Sequence, residues 1–286
     1  MTVQSSAPMP VIEGSTRLYA VLGHPVSQVR APGMLNPLFA ELGSDAVLFP
    51  VLVPPRDLGD VVRGLQRIGN LDGLLVTIPH KVDVCRYADA VSEAVTLAGS
   101  ANALRREPDG SWYAENFDGT GFVHGMRAAG IDPTGRQVVL VGAGGAGMAV
   151  AAALLTEGVA HLELCDRDEG RLAAVSDRLE QHFPGRVSRS TAALRLESAD
   201  LAVNATPLGL SPADPLPFDV TQLPAGAVVA DIIMRPKETA LLRVAAERGH
   251  RVHPGSPMLA HQLKLYRTFF RLDDARRRDA QDDRSR

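Results

Sequence analysis

Apolar positions along this chain fall into two alternating patterns. Short runs predict strands at residues 18–22, 46–51, 74–76, 137–141, 161–165, 186–189, 201–204 and 228–233, with a last short one at 251–253. Segments of helical period separate them, at 31–42, 55–68, 80–88, 91–98, 119–130, 238–248 and 259–270. In the second of these helices Leu58, Val61, Val62 and Leu65 share one face, and the last carries Leu263, Tyr266, Phe269 and Phe270. Residues 101–104 and 112–115 flank Asp109-Gly110 and read as a hairpin. Strands that alternate with helices predict parallel sheets covered by helices, an α/β fold.

One junction is chemically specific. The apolar run 137–141 leads into Gly142-Ala143-Gly144-Gly145-Ala146-Gly147, and Met148 to Leu155 continues as helix. Strand, G-x-G-x-x-G and helix in that order form a dinucleotide-binding turn. Gly142 makes the tight turn, Gly144 and Gly145 expose backbone to a pyrophosphate, and Gly147 lets helix and strand pack closely. Asp166 closes the next strand about 20 residues further on, where a carboxylate accepts a bond from the ribose 2′-hydroxyl and repels a 2′-phosphate. This favours NAD over NADP. Arg167 and Arg171 stand beside it and could neutralise a phosphate. The cofactor expectation is therefore NAD, preferred, or NADP.

Two domains follow: residues 15–117, completed by a C-terminal helix at 255–272, and a Rossmann nucleotide domain at 118–254, with an active site expected in the cleft between them. Residues 1–14 and 273–286 read as flexible tails. Composition removes other classes. The chain has 286 residues, 45% of them hydrophobic, and a net charge of −3 with pI near 6.2, which gives no reason to expect nucleic acid or an anionic membrane. Cys85 and Cys165 have no partner motif, so neither disulfide nor metal site is expected and a reducing cytoplasm fits. No apolar run reaches membrane-spanning length, and the N-terminus does not read as a signal peptide.

Several segments in order resemble the shikimate dehydrogenase family. Residues 73–81 (GLLVTIPHK) resemble its G-x-N-V-T-x-P-x-K, residues 99–104 (GSANAL) its G-A-x-N-T-L, and residues 116–122 (NFDGTGF) its N-T-D-G-x-G-F. Residues 204–209 (NATPLG), 236–242 (PKETALL) and 258–262 (MLAHQ) match N-A-T-P-x-G, P-x-x-T-x-L-L and M-L-x-x-Q. The resemblance implies an NAD(P)-dependent oxidoreductase of aromatic amino acid biosynthesis, oxidising a ring hydroxyl of shikimate, quinate or a related cyclic polyol. It implies Lys81 and Asp118 as the catalytic pair, with the lysine donating to the developing alkoxide. It also implies Thr77, Asn102 and Gln262 on the substrate, and Asn204 and Thr206 near the cofactor with Gly142, Gly144, Gly145, Gly147, Asp166 and Arg167. The expected partner is a small hydroxylated ring, on a monomer or homodimer.

The chain departs from that family at one end of the substrate. The motif G-x-P-x-x-H-S-x-S-P-x-x-x-N reads GHPVSQVRAPGMLN over residues 23–36, so the serines that hold the substrate carboxylate are Val29 and Ala31. The asparagine of G-x-N-V-T is Leu75, the threonine of N-T-D-G is Phe117, and the tyrosine before P-x-x-T is Met234. Either Gln28 or Arg30 replaces the serines, or the substrate has no carboxylate there. The other readings are a nucleotide-dependent ligand sensor without turnover, and a methylenetetrahydrofolate dehydrogenase on the same two-domain plan.

Overall fold

The computed structural model describes residues 11–191 and 194–273. Both proposed tails fall largely outside that range. Contacts divide the chain into two units: residues 1–91, 102–114 and 263–286, and residues 92–101 and 115–262.

The first unit holds strands β1 (Arg17–Gly23), β2 (Ala46–Leu52), β3 (Leu71–Val76), β4 (Ala90–Val91), β5 (Ala103–Arg106) and β6 (Trp112–Glu115), in the order β2-β1-β3-β5-β6-β4. Strands β2, β1 and β3 run parallel, whereas β5 lies antiparallel to β3 with Leu75 opposite Ala103. Helix α1 (Ala31–Leu42) starts with a proline in its first turn and ends at Gly43, φ +62°, whose N–H returns to the helix carbonyls. Asn36 fastens α1 to edge strand β2: its Nδ2 donates to the Leu48 carbonyl at 3.0 Å and its Oδ1 accepts from the Leu48 N–H at 2.8 Å. That accounts for the asparagine that closes the motif beginning at Gly23. Gly73 admits the rings of Phe270 and Tyr19, which would stand within 2.9 Å of a Cβ there.

Three predicted helices are shorter than their apolar period. Residues 55–68 open with a 3-10 turn, Pro55–Asp57, before α2 (Leu58–Gln66). Residues 80–88 form a turn and a 3-10 segment, Asp83–Tyr87, after Pro79. Residues 91–98 start late because Ala90–Val91 pairs with β6 and Ser92 caps α3 (Glu93–Ala98), accepting from the Val95 N–H at 3.1 Å.

The second unit begins with α3 and α4 (Asp118–Ala128). Strands β7 (Gln137–Val141), β8 (His161–Cys165), β9 (Val187–Ser190), β10 (Leu201–Asn204), β11 (Val228–Asp231) and β12 (Arg251–His253) form one sheet. Its order is β12-β11-β10-β7-β8-β9, with every determined pairing parallel. Counted from β7, this is the 3-2-1-4-5-6 order of a Rossmann fold. Helices α5 (Gly145–Thr156), α6 (Glu169–His182) and α7 (Ala240–Glu247) alternate with the strands, and the last described helix is α8 (Ser256–Phe269), of which residues 256–262 belong to this unit. Helix α5 is apolar on nearly all sides, as its burial from Gly147 to Leu155 requires.

His253 ends β12 with its ring edge-on to Phe122 at 5.7 Å, 1% exposed, and its Nε2 has no hydrogen-bond partner among the described residues. Burial, followed by the charges of Arg251 and His261, lowers its pKa to about 4. The folded state then resists protonation, whereas the unfolded chain takes a proton near pH 6.5. This contribution is complete above pH 6.5 and disappears as pH falls towards 4, a loss of about 3 kcal/mol. Thermal midpoints between pH 7 and 4.5 should therefore fall less for His253→Leu than for the wild type.

Candidate active site

In the second unit the glycine turn joins β7 to α5. Gly142 takes φ +109°, which favours glycine. A Cβ on it would stand 2.6 Å from the Ala205 carbonyl carbon and 2.8 Å from the Thr206 nitrogen. A Cβ on Gly147 would collide with the Gly142 oxygen. Both glycines are demanded by the protein itself. Gly144 is different. Its backbone is ordinary, φ −73° and ψ 177°, and a Cβ there would meet nothing within 4 Å. It is also the N-cap of α5, with no side chain capping the first turn. The open N–H groups and helix dipole there suit a phosphate.

Asp166, just past β8, is turned onto this loop. Its Oδ2 accepts from the Ala143 N–H at 2.6 Å and its Oδ1 from the Asp168 N–H at 2.8 Å. Arg171 stands 3.5 Å from the same carboxylate and 3.1 Å from Asp168. Arg167 is exposed. Burial, then the charges of Asp166 and Glu163, raises the Cys165 thiol, which keeps it protonated and unreactive. Asn204 is completely buried, and its Oδ1 accepts from the N–H and hydroxyl of Thr206 at 3.0 and 2.7 Å. These two residues therefore shape the loop after β10.

Asp118 is the first residue of α4 and only 3% exposed. Gln262, on α8, donates from Nε2 to its Oδ1 at 2.9 Å. Asn116, a residue the sequence reading passed over, accepts from the Asp118 N–H at 3.0 Å. Its amide nitrogen donates to the Ser100 carbonyl at 2.9 Å and hydroxyl at 3.0 Å. The Ser100 hydroxyl in turn donates to the Gly145 carbonyl at 2.8 Å. This chain of contacts fixes the start of α4 against the glycine turn. Gly119 and Gly121 keep α4 close to its neighbours. A Cβ on the first would lie 2.6 Å from that of Ala153, and one on the second 2.8 Å from the Gln262 Cγ. N-x-D-G-x-G-F is thus one aspartate, one anchor and two close approaches.

In the first unit the remaining candidates gather where β1 and β3 end. The Thr77 N–H donates to the Leu22 carbonyl at 2.9 Å, and a Cβ on Gly23 would stand 2.5 Å from the Thr77 methyl. Asn102, 3% exposed, lies just before β5, its carbonyl accepting from the Val76 N–H at 2.9 Å. Lys81 is half-buried in the turn after Thr77, behind His80, whose Nε2 bonds the Val53 carbonyl at 2.7 Å. Leu75 is buried; Val29 and Ala31, at the start of α1, are half-buried. Gln28 donates its amide to the Pro25 carbonyl at 2.9 Å and so closes its own turn, while Arg30 is exposed. Among the described residues no group of three or more His, Cys, Asp or Glu could hold a metal ion. No described helix is long and apolar enough to cross a membrane.

The chain is similar to known proteins over most of its length. Residues 21–104 match the shikimate dehydrogenase substrate binding domain. Shikimate dehydrogenase (NADP(+)) of Rubrobacter xylanophilus is 43% identical over 258 residues, 89% of this chain and 90% of its own. The chain belongs to the shikimate dehydrogenase family. As such it is an NAD(P)-dependent oxidoreductase acting on CH–OH groups, with an N-terminal substrate domain and a C-terminal Rossmann domain. Quinate dehydrogenase from Corynebacterium glutamicum, solved in complex with NAD, is similar at TM-score 0.80 and 31% identity, covering 90% of this chain and 93% of its own. The ligand-free 5-ketofructose reductase of Gluconobacter sp. strain CHM43 is similar at TM-score 0.79 and 27% identity, covering 89% and 92%.

The two kinds of glycine should separate in mutants. Gly144→Ala should fold with a thermal midpoint near wild type, since its Cβ meets nothing within 4 Å, but bind NADH about tenfold or more weakly if a phosphate is seated there. Gly147→Ala should lower the midpoint as well, because overpacking costs about 1–3 kcal/mol. Thermal melts and nicotinamide fluorescence titrations check both.

Proposed function

We propose that this chain catalyses reversible hydride transfer between a nicotinamide dinucleotide and a ring hydroxyl of shikimate, quinate or a related cyclic polyol, in a reducing cytoplasm. The observation that carries the reading is the retained hydroxyl-handling set, Lys81, Asn102, Asp118 and Gln262, in family order along the chain, together with a complete dinucleotide turn. When bound, the nicotinamide accepts the hydride. Lys81 donates a hydrogen bond to the substrate hydroxyl oxygen, stabilises the developing alkoxide and carries its proton. Asp118 is the second member of the proposed catalytic pair. Gln262, bonded to Asp118, fixes that carboxylate, and Asn102 and Thr77 hold neighbouring hydroxyls. A ligand sensor without turnover would have no use for the Lys81–Asp118 pair.

Lys81→Ala and Asp118→Ala should each abolish most turnover while leaving cofactor affinity nearly unchanged. The double variant should lose much less than the sum of the two losses, because both act on one hydroxyl. A Lys81 variant with wild-type kcat would remove this mechanism.

NAD is the preferred cofactor in this reading, through the Asp166 carboxylate. The NADP(+) in the names of the curated relatives sets the opposite precedent, and Arg167 and Arg171 are the groups through which a 2′-phosphate would be admitted. Asp166→Ala should relax the ratio of kcat/KM for NAD over NADP. A wild-type preference for NADP would transfer the selectivity to the arginines.

At the substrate end the chemistry has changed. Each hydrogen bond to a carboxylate is worth ~1.5–3 kcal/mol, so losing two serines costs about 3–6 kcal/mol, on the order of 10²- to 10⁴-fold in kcat/KM. Shikimate is then a poor substrate. An uncharged polyol or its ketone fits Val29, Ala31 and Leu75 better, a reading favoured by the similarity to a reductase of 5-ketofructose. Val29→Ser with Ala31→Ser, and Leu75→Asn where needed, should raise kcat/KM for shikimate. A wild-type value of about 10⁵ M⁻¹s⁻¹ or more for shikimate would refute the changed end and point to Gln28 or Arg30.

A further inference from the structure

Two segments singled out in the sequence, N-A-T-P-x-G and P-x-x-T-x-L-L, converge on a carboxylate that no pattern announced. Asp231 ends β11 and is completely buried. Its donors come from three places. The Ile233 N–H reaches Oδ1 at 2.9 Å, and the Thr239 hydroxyl and Asn204 amide reach Oδ2 at 2.8 and 3.2 Å. Thr239 also caps α7, accepting from the Leu242 N–H. Asn204 passes the restraint on. Its nitrogen also donates to the Leu208 carbonyl at 2.9 Å, its oxygen holds Thr206, and the Thr206 hydroxyl accepts from the Leu208 N–H at 3.1 Å. The shape of residues 204–209 thus rests on one buried anion.

That loop backs the glycine turn. Ala205 and Thr206 are the atoms that a Cβ on Gly142 would strike, and the Ala205 Cβ would lie 3.1 Å from one on Gly147. The Ala205 N–H donates to the Val141 carbonyl at 2.7 Å. Strand order reverses between β7 and β10, the place where open α/β sheets bind their ligands.

We infer that Asp231 is a positioning residue for the dinucleotide: through Thr239 and Asn204 it holds the 204–209 loop against the glycine turn and so sets cofactor affinity without touching the cofactor. This rests on the nicotinamide dinucleotide assigned above. Only donors face the carboxylate, so an amide cannot replace it. In Asp231→Asn, whichever way it is turned, one N–H group meets another donor. Thr239→Val deletes one donor, whereas Thr239→Ser keeps it.

NADH and NADPH are titrated into each cofactor-free protein, and amide hydrogen exchange is followed across residues 204–209 without cofactor. Asp231→Asn and Thr239→Val should each weaken both dinucleotides about tenfold or more, the size of one lost charge-assisted hydrogen bond. Exchange should quicken across 204–209 and stay unchanged in β8 and α6. Thr239→Ser should behave as wild type. If Asp231→Asn does not fold, the contrast between the two Thr239 variants decides. Wild-type affinity in the variants, or weaker binding with unchanged exchange at 204–209, overturns the inference alone. A wild type that binds neither dinucleotide overturns the function proposed above together with it.

Discussion

The second unit depends on how closely main chain can approach main chain where β7 meets β10. At Gly142 and Gly147 there is no room for a methyl group: one faces the Ala205–Thr206 peptide, the other the Gly142 oxygen. A parallel sheet can present a helix N-terminus to a ligand only if the connecting turn is this tight. The surroundings follow from that requirement. Asp166 holds the turn from β8, Ser100 binds the first residue of α5, and the 204–209 loop lies against it under the control of Asp231. At Gly144 the protein stops filling space, and a Cβ there would meet nothing within 4 Å.

Much of this was legible in the sequence because it is local. A strand, glycines at fixed offsets and an apolar helix are a spacing pattern, and the spacing survives folding. Asp118, Lys81 and Asn102 are proposed through short segments that resemble the family's motifs. What was not legible is carried by contacts between segments far apart in the chain. Asn116 matters because its amide meets Ser100 and its oxygen meets the Asp118 N–H, and neither follows from its neighbours in sequence. Asp231 looks like an ordinary strand-end aspartate until Thr239 and Asn204 close on it. Gln262 is proposed as a group for the substrate, and its amide also donates to Asp118, a contact that no spacing announced. Helix ends were misjudged where proline or a serine cap overrides apolar period, at Pro55, Pro79 and Ser92.

The departures from the family gain meaning against this scaffold. Replacements that keep the frame and exchange only side-chain polarity do not damage the fold. Asn36 still ties α1 to β2, and Gly23 still lies against Thr77. In the proposed reading Val29, Ala31 and Leu75 reflect a choice of ligand, on a backbone that is held independently. On that reading the chain keeps the groups suited to a hydroxyl and its proton and gives up those suited to a carboxylate. Burying an ionised group against aliphatic side chains costs more than the lost bonds alone.

Whether the retained groups perform hydride transfer is best decided by following the hydrogen itself. Nicotinamide cofactor carrying deuterium at C4 of the reduced ring would be mixed, at high enzyme concentration in a single turnover, with the ring ketone corresponding to shikimate. Mass spectrometry would then locate the label. The account predicts deuterium on the carbinol carbon of the product with wild-type enzyme, formed slowly, and no labelled product with Lys81→Ala. Product without deuterium, or labelling that persists when Lys81 is removed, would contradict it.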